Sequence, residues 1–511
     1  MLSPLSSHNT VFIIEEWLNN CDACHDECSR WIGKDQSTVN DLPPYLPTRV
    51  VDLGTTAEST PRLFISNGSR AKYVALSYCW GGAPTFTTTL KTLSQMAKSI
   101  PVSKLPAVFI DAFSIARSLG IRYLWLDALC IVQDDKQDWD IEARKMGGIY
   151  QSAHVTIAAT RSGCVSDSFL PKDNRRSQQV LDIAYKLDSP ESGNMALVSG
   201  SPNPTEYVKD ARLNSRGWVL QERLLSRRIL HFARDQIYWE CRQAVQAEDG
   251  SSFPLQDFDR DFLFPLPGLM KKINIKTLDE YSPERDDIFQ KAWLSILAFY
   301  CDRGFTKASD RMVALLGLVN KLRPLTKRTY LDGNWFLPGS QSIPRSLLWR
   351  PENSRRSAEK SIPSWSWASR TGKLDFSFHN KDRRIEFNLL GLEAAIGDTP
   401  SALRIRGHTF SARAQPPVGN KSRSCDLFEV GSTENNEEPD IGNIYFDDLD
   451  MVQPGVVECL HLFDDVAGYP VYWAMRATSS GTKGPLYVRI GVATQVRGVR
   501  SKLVEKHLLL I

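Results

Sequence analysis

The chain has no run of about 18 or more apolar residues, the length that a membrane-spanning helix requires. Its start, MLSPLSSHNTVFIIEEWLNN, lacks the basic residues and long apolar stretch of an export signal. Neither a membrane span nor a signal peptide is expected. Cysteine is sparse: ten in 511 residues are too few for a disulfide framework, and Cys79, Cys130 and Cys241 sit inside apolar runs, as buried free thiols do. That usage predicts a reducing compartment, the cytoplasm. An excess of one charge is lacking too. With 62 Lys and Arg against 59 Asp and Glu, the net charge of +3 gives no electrostatic mandate for nucleic acid or an anionic membrane, and neither is expected as a partner.

The signatures of common enzyme classes are also missing. There is no G-x-x-x-x-G-K-[ST] loop, no G-x-S-x-G elbow, no H-E-x-x-H helix and no G-x-G-x-x-G fingerprint. Familiar ATPase, α/β-hydrolase, metalloprotease and dinucleotide-oxidoreductase readings lose their support, and no cofactor is expected. No fixed-period repeat suggests a solenoid or propeller.

What is present is the composition of a folded protein, 42% hydrophobic and 24% charged. A length of 511 residues exceeds what one core of roughly 250–300 residues sustains, so two or three domains are expected. Ile14, Trp17, Leu18, Cys21, Cys24 and Cys28 recur at helical steps and predict a helix over 11–31. Short strands follow at Arg49–Leu53 and Arg62–Ile65, then a longer one at Tyr73–Trp80, stopped by Gly81-Gly82. A helix striped by Leu105, Val108, Phe109, Ala112, Ile115, Ala116 and Leu119 precedes Tyr123–Val132, whose nearly continuous apolar run predicts a central parallel strand. A helix over about 138–152 and a strand at His154–Ala159 come next. Strand, helix, strand, helix, strand predicts an α/β core with a parallel sheet.

Residues 161–205 read as loop-rich, 215–227 as helical, and Ile229–Phe232 with Gln236–Cys241 as a hairpin. Helical spacing returns at 285–322, and beyond Trp349 alternating segments such as Ala402–Gly407 and Leu486–Val492, with the Trp/Ser-rich Pro363–Ser369, predict a mostly β region. Residues 413–443, rich in Asn, Glu, Ser and Gly, read as a mobile insertion. The expected organisation is an N-terminal helix at 1–35, an α/β domain at 40–245, a helical connector at 285–325 and a β-rich domain at 345–511.

Four groups of residues are candidates for chemistry. Cys21-Asp-Ala-Cys24-His25-Asp-Glu-Cys28 contains the C-x-x-C of zinc sites, but no second Cys/His pair lies at a matching distance. Its thiols at i, i+3 and i+7 predict a buried helix face and no metal. Glu142 falls inside the apolar stripe of Trp139, Ala143, Met146, Ile149 and Tyr150, where a carboxylate must be paired or working. An ion pair with Arg117 or Arg122 and a catalytic role both stay open. Asp127, near the middle of the predicted central strand, and Ser77, near the end of the first long one, lie where α/β sheets place their sites. Asp127 equally suits the capping of a neighbouring loop. Finally Arg216, Trp218, Gln221, Glu222 and Arg223 crowd one short helix, as a staple of charges or a ligand contact.

Read in order, these segments resemble the heterokaryon-incompatibility (HET) domain of filamentous fungi. The matching pieces are Tyr73-Val-Ala-Leu-Ser-Tyr-Cys-Trp-Gly-Gly82, Leu105-Pro106 through Asp111-Ala112, Tyr123-Leu-Trp-Leu-Asp-Ala-Leu-Cys-Ile-Val-Gln-Asp134, Met146 through Tyr150, and Arg216-Gly-Trp218 through Gln221-Glu222-Arg223. The chain departs from the family's pattern at Val132, where Asn is usual, and near Arg144 and Lys145, where a Gln is usual. The resemblance implies non-self recognition that triggers programmed cell death, through a flavodoxin-like fold distantly similar to Toll/interleukin-receptor (TIR) domains. Three readings follow: a signalling module acting through a protein partner or self-association, an NAD glycohydrolase using Glu142, and a HET-derived protein recruited to a biosynthetic pathway. On the enzymatic reading Glu142, Asp127 and Ser77 are catalytic, and Trp80, Gly81, Arg216, Trp218, Gln221, Glu222 and Arg223 bind the substrate.

Overall fold

A computed structural model of the chain describes residues 8–29, 42–56, 58–82, 86–170, 180–186, 192–198, 205–253, 282–338, 343–359, 361–376, 387–393, 401–415, 424–429, 440–447, 453–464, 470–481, 484–494, 496 and 499–511. These fall into two compact units, one within 1–275 and 313–322, the other within 276–312 and 323–511.

The first unit begins with helices α1 (His8–Cys24) and α2 (Asp26–Ser29) and strands β1 (Arg49–Asp52), β2 (Arg62–Ile65) and β3 (Tyr73–Ser77). Then come α3 (Leu93–Lys98), α4 (Ala107–Ser118), β4 (Tyr123–Trp125), α5 (Asp127–Cys130), α6 (Lys136–Ser152) and β5 (Val155–Ala158). A hairpin of β6 (Val180–Lys186) and β7 (Ser192–Val198) is followed by α7 (Gly217–Leu225), β8 (Arg228–Phe232), β9 (Ile237–Cys241), β10 (Val245–Ala247) and β11 (Ser252–Phe253).

Nine of these strands form one mixed sheet in the order β11-β10-β9-β8-β5-β3-β4-β1-β2. The four central strands β8, β5, β3 and β4 are parallel. Numbered along the chain they run 2-1-3-4, as in doubly wound flavodoxin-like sheets. Right-handed crossovers place α4 on one face and α6 and α7 on the other, because the chain steps from β3 out to β4 and then back across β3 to β5. All of Val74, Val155, Ile157, Leu124 and Leu230 are buried, as strands covered on both faces require. Antiparallel β1–β2 and β8–β9 additions extend the two edges. At the N-terminal side, Ile14, Trp17 and Leu18 of α1 join this core, with Trp17 stacked at 6.1 Å on Trp239 of β9.

Several expectations give way. The apolar run 123–132 is not one strand: β4 stops at Trp125, and Asp127 opens the single turn of α5 by accepting the Ala128 amide at 2.8 Å. A short acid that bonds its own backbone offers the chain an alternative to the ladder, and apolar content alone does not reveal it. Nor do Cys21, Cys24 and Cys28 share one buried helix face, because the helix breaks at His25 and leaves Cys24 exposed while Cys21 and Cys28 are buried. Within the loop-rich stretch 161–205, residues 180–186 and 192–198 pair as a hairpin, whereas 171–179, 187–191 and 199–204 lie outside the described residues.

The second unit contains helix α8 (Pro283–Tyr300) and the first residues of α9 (Asp310–Leu322), whose residues from Val313 onward belong to the first unit. Small hairpins pair β12 (Thr329–Leu331) with β13 (Asn334–Phe336) and β14 (Arg350–Arg356) with β15 (Arg370–Asp375). The remaining strands are β16 (Phe387–Glu393), β17 (Ala402–Gln415), β18 (Ser424–Glu429), β19 (Asp440–Phe446), β20 (Gly455–Asp464), β21 (Pro470–Gly481), β22 (Gly484–Thr494) and β23 (Val504–Leu510). Six of them close into an antiparallel ring, β17-β18-β19-β22-β21-β20 and back to β17. Closure removes unpaired edges.

The segment 413–443 read as a mobile insertion is thus partly sheet. Residues 424–429 and 440–443 are strand, and 416–423 and 430–439 lie outside the described residues. Pro363–Ser369, expected as part of the β pattern, is a turn ending in one 3-10 step, where Ser366 caps the Ala368 amide and Trp365 and Trp367 are fully buried. No described helix is long and apolar enough to cross a membrane.

Candidate functional site

The carboxyl ends of β3 and β5, where the connections diverge, are where open α/β sheets build their sites. Ser77 ends β3 there, 4% exposed. Its Oγ donates to Glu222 Oε2 of α7 at 2.5 Å. The Tyr150 hydroxyl, which donates to the Leu76 carbonyl at 2.9 Å, lies against the same carboxylate. Burial pushes the Glu222 carboxyl up to about 7, while Arg216 and Ser77 pull it back. A cavity beside this pair, bordered by Ser77, Asn214, Glu222 and His231, measures about 10 Å³, room for about one water.

Next to it Asp127 collects donors from the loop after β3. Its Oδ1 accepts the Tyr78 hydroxyl at 2.6 Å, and its Oδ2 accepts the Trp80 indole at 2.8 Å. Burial, and then the Asp127 charge, push the Tyr78 hydroxyl well above its ordinary value, so it stays protonated and donates to Asp127. Arg216, immediately before α7, donates to the Tyr78 carbonyl and faces both Glu222 and Asp127. One guanidinium therefore serves two carboxylates. Gly81 holds the loop close: its φ is +75°, and a Cβ there would lie 2.4 Å from Cys164 Cβ in the loop after β5.

The other α7 residues have different partners. Trp218 packs edge-on against Trp139 at 6.2 Å. Gln221 Oε1 accepts the Gly317 amide at 2.9 Å, at a place where Gly317 and Gly147 approach too closely for any side chain. Arg223 pairs with Glu240 at 2.9 Å, and His231 bonds the same carboxylate at 2.8 Å. Burial depresses the His231 imidazole, so it is neutral there. This is a second closed network, with Thr160 at 3.3 Å from His231 Nδ1.

Glu142 is on the buried face of α6, as its position in the stripe predicts, but its partners are neither Arg117 nor Arg122. Arg122 pairs with Asp52, and Arg117 donates to the Leu53 and Ser59 carbonyls. Glu142 Oε1 instead accepts both Lys145 Nζ and Thr48 Oγ1 at 2.8 Å. Its Oε2 has no hydrogen-bond partner among the described residues. Lys145 borders an open groove of about 380 Å³ with Tyr45, Tyr73, Arg144, Asn320 and Lys321. Tyr73 begins β3 and Ser77 ends it, so this groove does not open on the Ser77–Glu222 cluster. Ser77, Asp127, Trp80, Gly81, Arg216 and Glu222 are thus brought together, Arg223 pairs with Glu240 while bordering the same small cavity, and Glu142, Trp218 and Gln221 belong to other contacts.

Tyr78, Tyr150, Glu240, His231 and Thr160 escape the sequence reading. Tyr150 counts there only as a core residue, and Glu240 and His231 lie in strands that read as apolar. A polar residue inside the apolar stretch of each hairpin strand, His231 in β8 and Glu240 in β9, is the signal that could flag that pair.

Glu222 gives the unit a specific pH dependence. Between its ordinary value of 4.5 and about 7, the folded chain holds a proton that the unfolded chain releases. Its contribution is therefore fully present below about pH 4.5, falls as pH rises and levels off above about 7, a difference of roughly 3 kcal/mol. Chemical unfolding of Glu222→Gln across this window should give a flatter profile than the wild type. Equal slopes would remove Glu222 as the source.

Residues 73–222 match the model of the family described as Heterokaryon incompatibility protein (HET). No curated protein and no solved structure matches the chain.

Proposed function

We propose that this chain, which carries a heterokaryon-incompatibility domain over residues 73–222, acts in non-self recognition and programmed cell death signalling through a protein partner or self-association. The matched segment runs from the first residue of β3 to Glu222 itself, so it holds every member of the Ser77–Glu222–Arg216–Asp127 network. That network supports a module and not an open active site. Its carboxylates are engaged by Ser77, Tyr78, Trp80 and Arg216, and the cavity beside Ser77 accepts about one water, against the 300–1,000 Å³ of ordinary small-molecule sites.

One observation favours a second reading, cleavage of NAD. Glu142 is 1% exposed and keeps Oε2 without a partner among the described residues, so it resembles a carboxylate held for a ligand. The two readings separate in one set of measurements. Induced expression of the wild type in a filamentous fungus, alone and with incompatible partners, should reduce viability, and Glu142→Gln should reduce it equally while the purified chain leaves NAD intact at high enzyme concentration. NAD loss by the wild type that Glu142→Gln abolishes, with unfolding curves unchanged, would transfer the activity to Glu142. Unimpaired viability under all these conditions would end the signalling reading.

A further inference from the structure

Cys21 of α1, His25 at the break, Cys28 of α2 and Cys241 of β9 bring three thiol sulfurs and an imidazole nitrogen within 4.8 Å of one another. We propose that these four side chains bind one zinc ion, a structural site that fastens the N-terminal helices to the end of the β8–β9 hairpin.

The geometry fits the ion. Zinc held tetrahedrally at about 2.3 Å from sulfur and 2.0 Å from nitrogen sets its ligands roughly 3.5–3.8 Å apart. His25 Nδ1 already lies 3.3 Å from Cys241 Sγ. Burial of thiols as small apolar groups accounts for three sulfurs but not for an imidazole turned in among them. The chain around the cluster is shaped for it as well: α1 ends at Cys24, α2 begins at Asp26, and the interruption lets His25 and Cys28 face the sulfur of Cys21. Cys24 completes the C-x-x-C spacing, yet it is exposed and outside the cluster. The ligand set is therefore not the one that the local motif suggests.

The surroundings carry the complementary charge. Binding releases three thiol protons to solvent and leaves three thiolates and a neutral imidazole on a dication, net −1. Arg228, 2% exposed, donates from Nε to Cys21 Sγ at 3.2 Å and pairs with Asp22. Arg227 donates to the Cys28 carbonyl at 3.4 Å. The Arg228 guanidinium offsets the negative charge at the Cys21 sulfur as an outer hydrogen-bond partner, and soft sulfur and nitrogen donors in tetrahedral array select zinc over oxygen-seeking cations. The sequence reading expects no metal because the fourth ligand comes from a residue more than two hundred positions away.

The test uses the full chain purified under reducing conditions from zinc-supplemented cells. Elemental analysis should give one zinc per chain, which Cys24→Ser keeps and Cys21→Ser and Cys241→Ser lose. Replacement by cobalt in the wild type should give sulfur-to-cobalt charge-transfer and tetrahedral d–d absorption, a readout that does not depend on any variant folding. Zinc below about one-tenth per chain together with no such cobalt spectrum, or zinc retained in full by Cys241→Ser and lost by Cys24→Ser, would overturn the site.

Discussion

Replacing Arg216 with Ala should lower the stability of the first unit by about 3–5 kcal/mol at pH 8, and by clearly less at pH 5. Arg216 faces Glu222 and Asp127 together, and its removal leaves two carboxylates without their shared cation and the Tyr78 carbonyl without its donor. Removing one partner of a buried set costs more than the set contributes, because the remaining charge stays desolvated. Glu222 can escape by holding a proton, and without Arg216 its carboxyl should rise further above about 7. The folded mutant then keeps the proton to a higher pH than the folded wild type, while the unfolded chain releases it near 4.5 in both, so the mutant's deficit is level below about pH 7 and grows above it. Urea unfolding of wild type and Arg216→Ala at both pH values measures this. Arg216→Lys should recover part of the loss at pH 8, since it restores the charge without the planar fork. A deficit that is the same at both pH values would show that Arg216 does not act through Glu222.

In the second unit the largest effect is expected from Asp447→Ala. Arg489 of β22 is 0% exposed in its side chain and pairs with Asp447 at 3.0 Å. Its remaining N–H groups donate to the Trp349 carbonyl at 2.5 Å and the Leu347 carbonyl at 3.3 Å, and the guanidinium lies 3.5 Å over the Trp349 ring. Burial depresses the Arg489 guanidinium, with Asp447 opposing that effect. A second buried arginine, Arg370, donates to the Asp447 carbonyl. Removing the Asp447 carboxylate leaves Arg489 without a counter-charge in a place water does not reach, and a loss of about 3–5 kcal/mol follows. Asp447→Asn keeps one acceptor oxygen and should lose less. Tryptophan fluorescence during chemical unfolding reads the change, since Trp349 borders the pair. A loss under about 1 kcal/mol would mean that water reaches Arg489 after all.

The parallel core was legible because its strands and helices differ in period. Val74, Val155 and Leu230 sit in short apolar runs, while Val108, Ala112, Ile115 and Ala116 recur at helical steps, and both patterns survive in the fold. Ser77 and Arg216 were legible as candidates for a related reason, since a polar residue ending an apolar strand or opening a crowded helix must find a partner. Their partners were not. Asp127 illustrates the limit: an acid in an apolar run looks like a mid-strand residue until its own carboxylate is seen to bond Ala128 and end the strand.

By itself the sequence determined what depends on neighbours along the chain: the order of strands and helices, the apolar faces, Glu142 on the buried side of α6, and the motifs that resemble the HET family. Tertiary structure alone decided which polar groups meet. Ser77 with Glu222, Arg223 with Glu240 and His231, and Cys21 and His25 with Cys241 join residues that only the crossovers and the hairpin bring together. The physical reason is one of range. Secondary structure is set by propensity and period over a few residues, whereas a buried charge or thiol must be satisfied in three dimensions, by whatever side chain the sheet order places beside it.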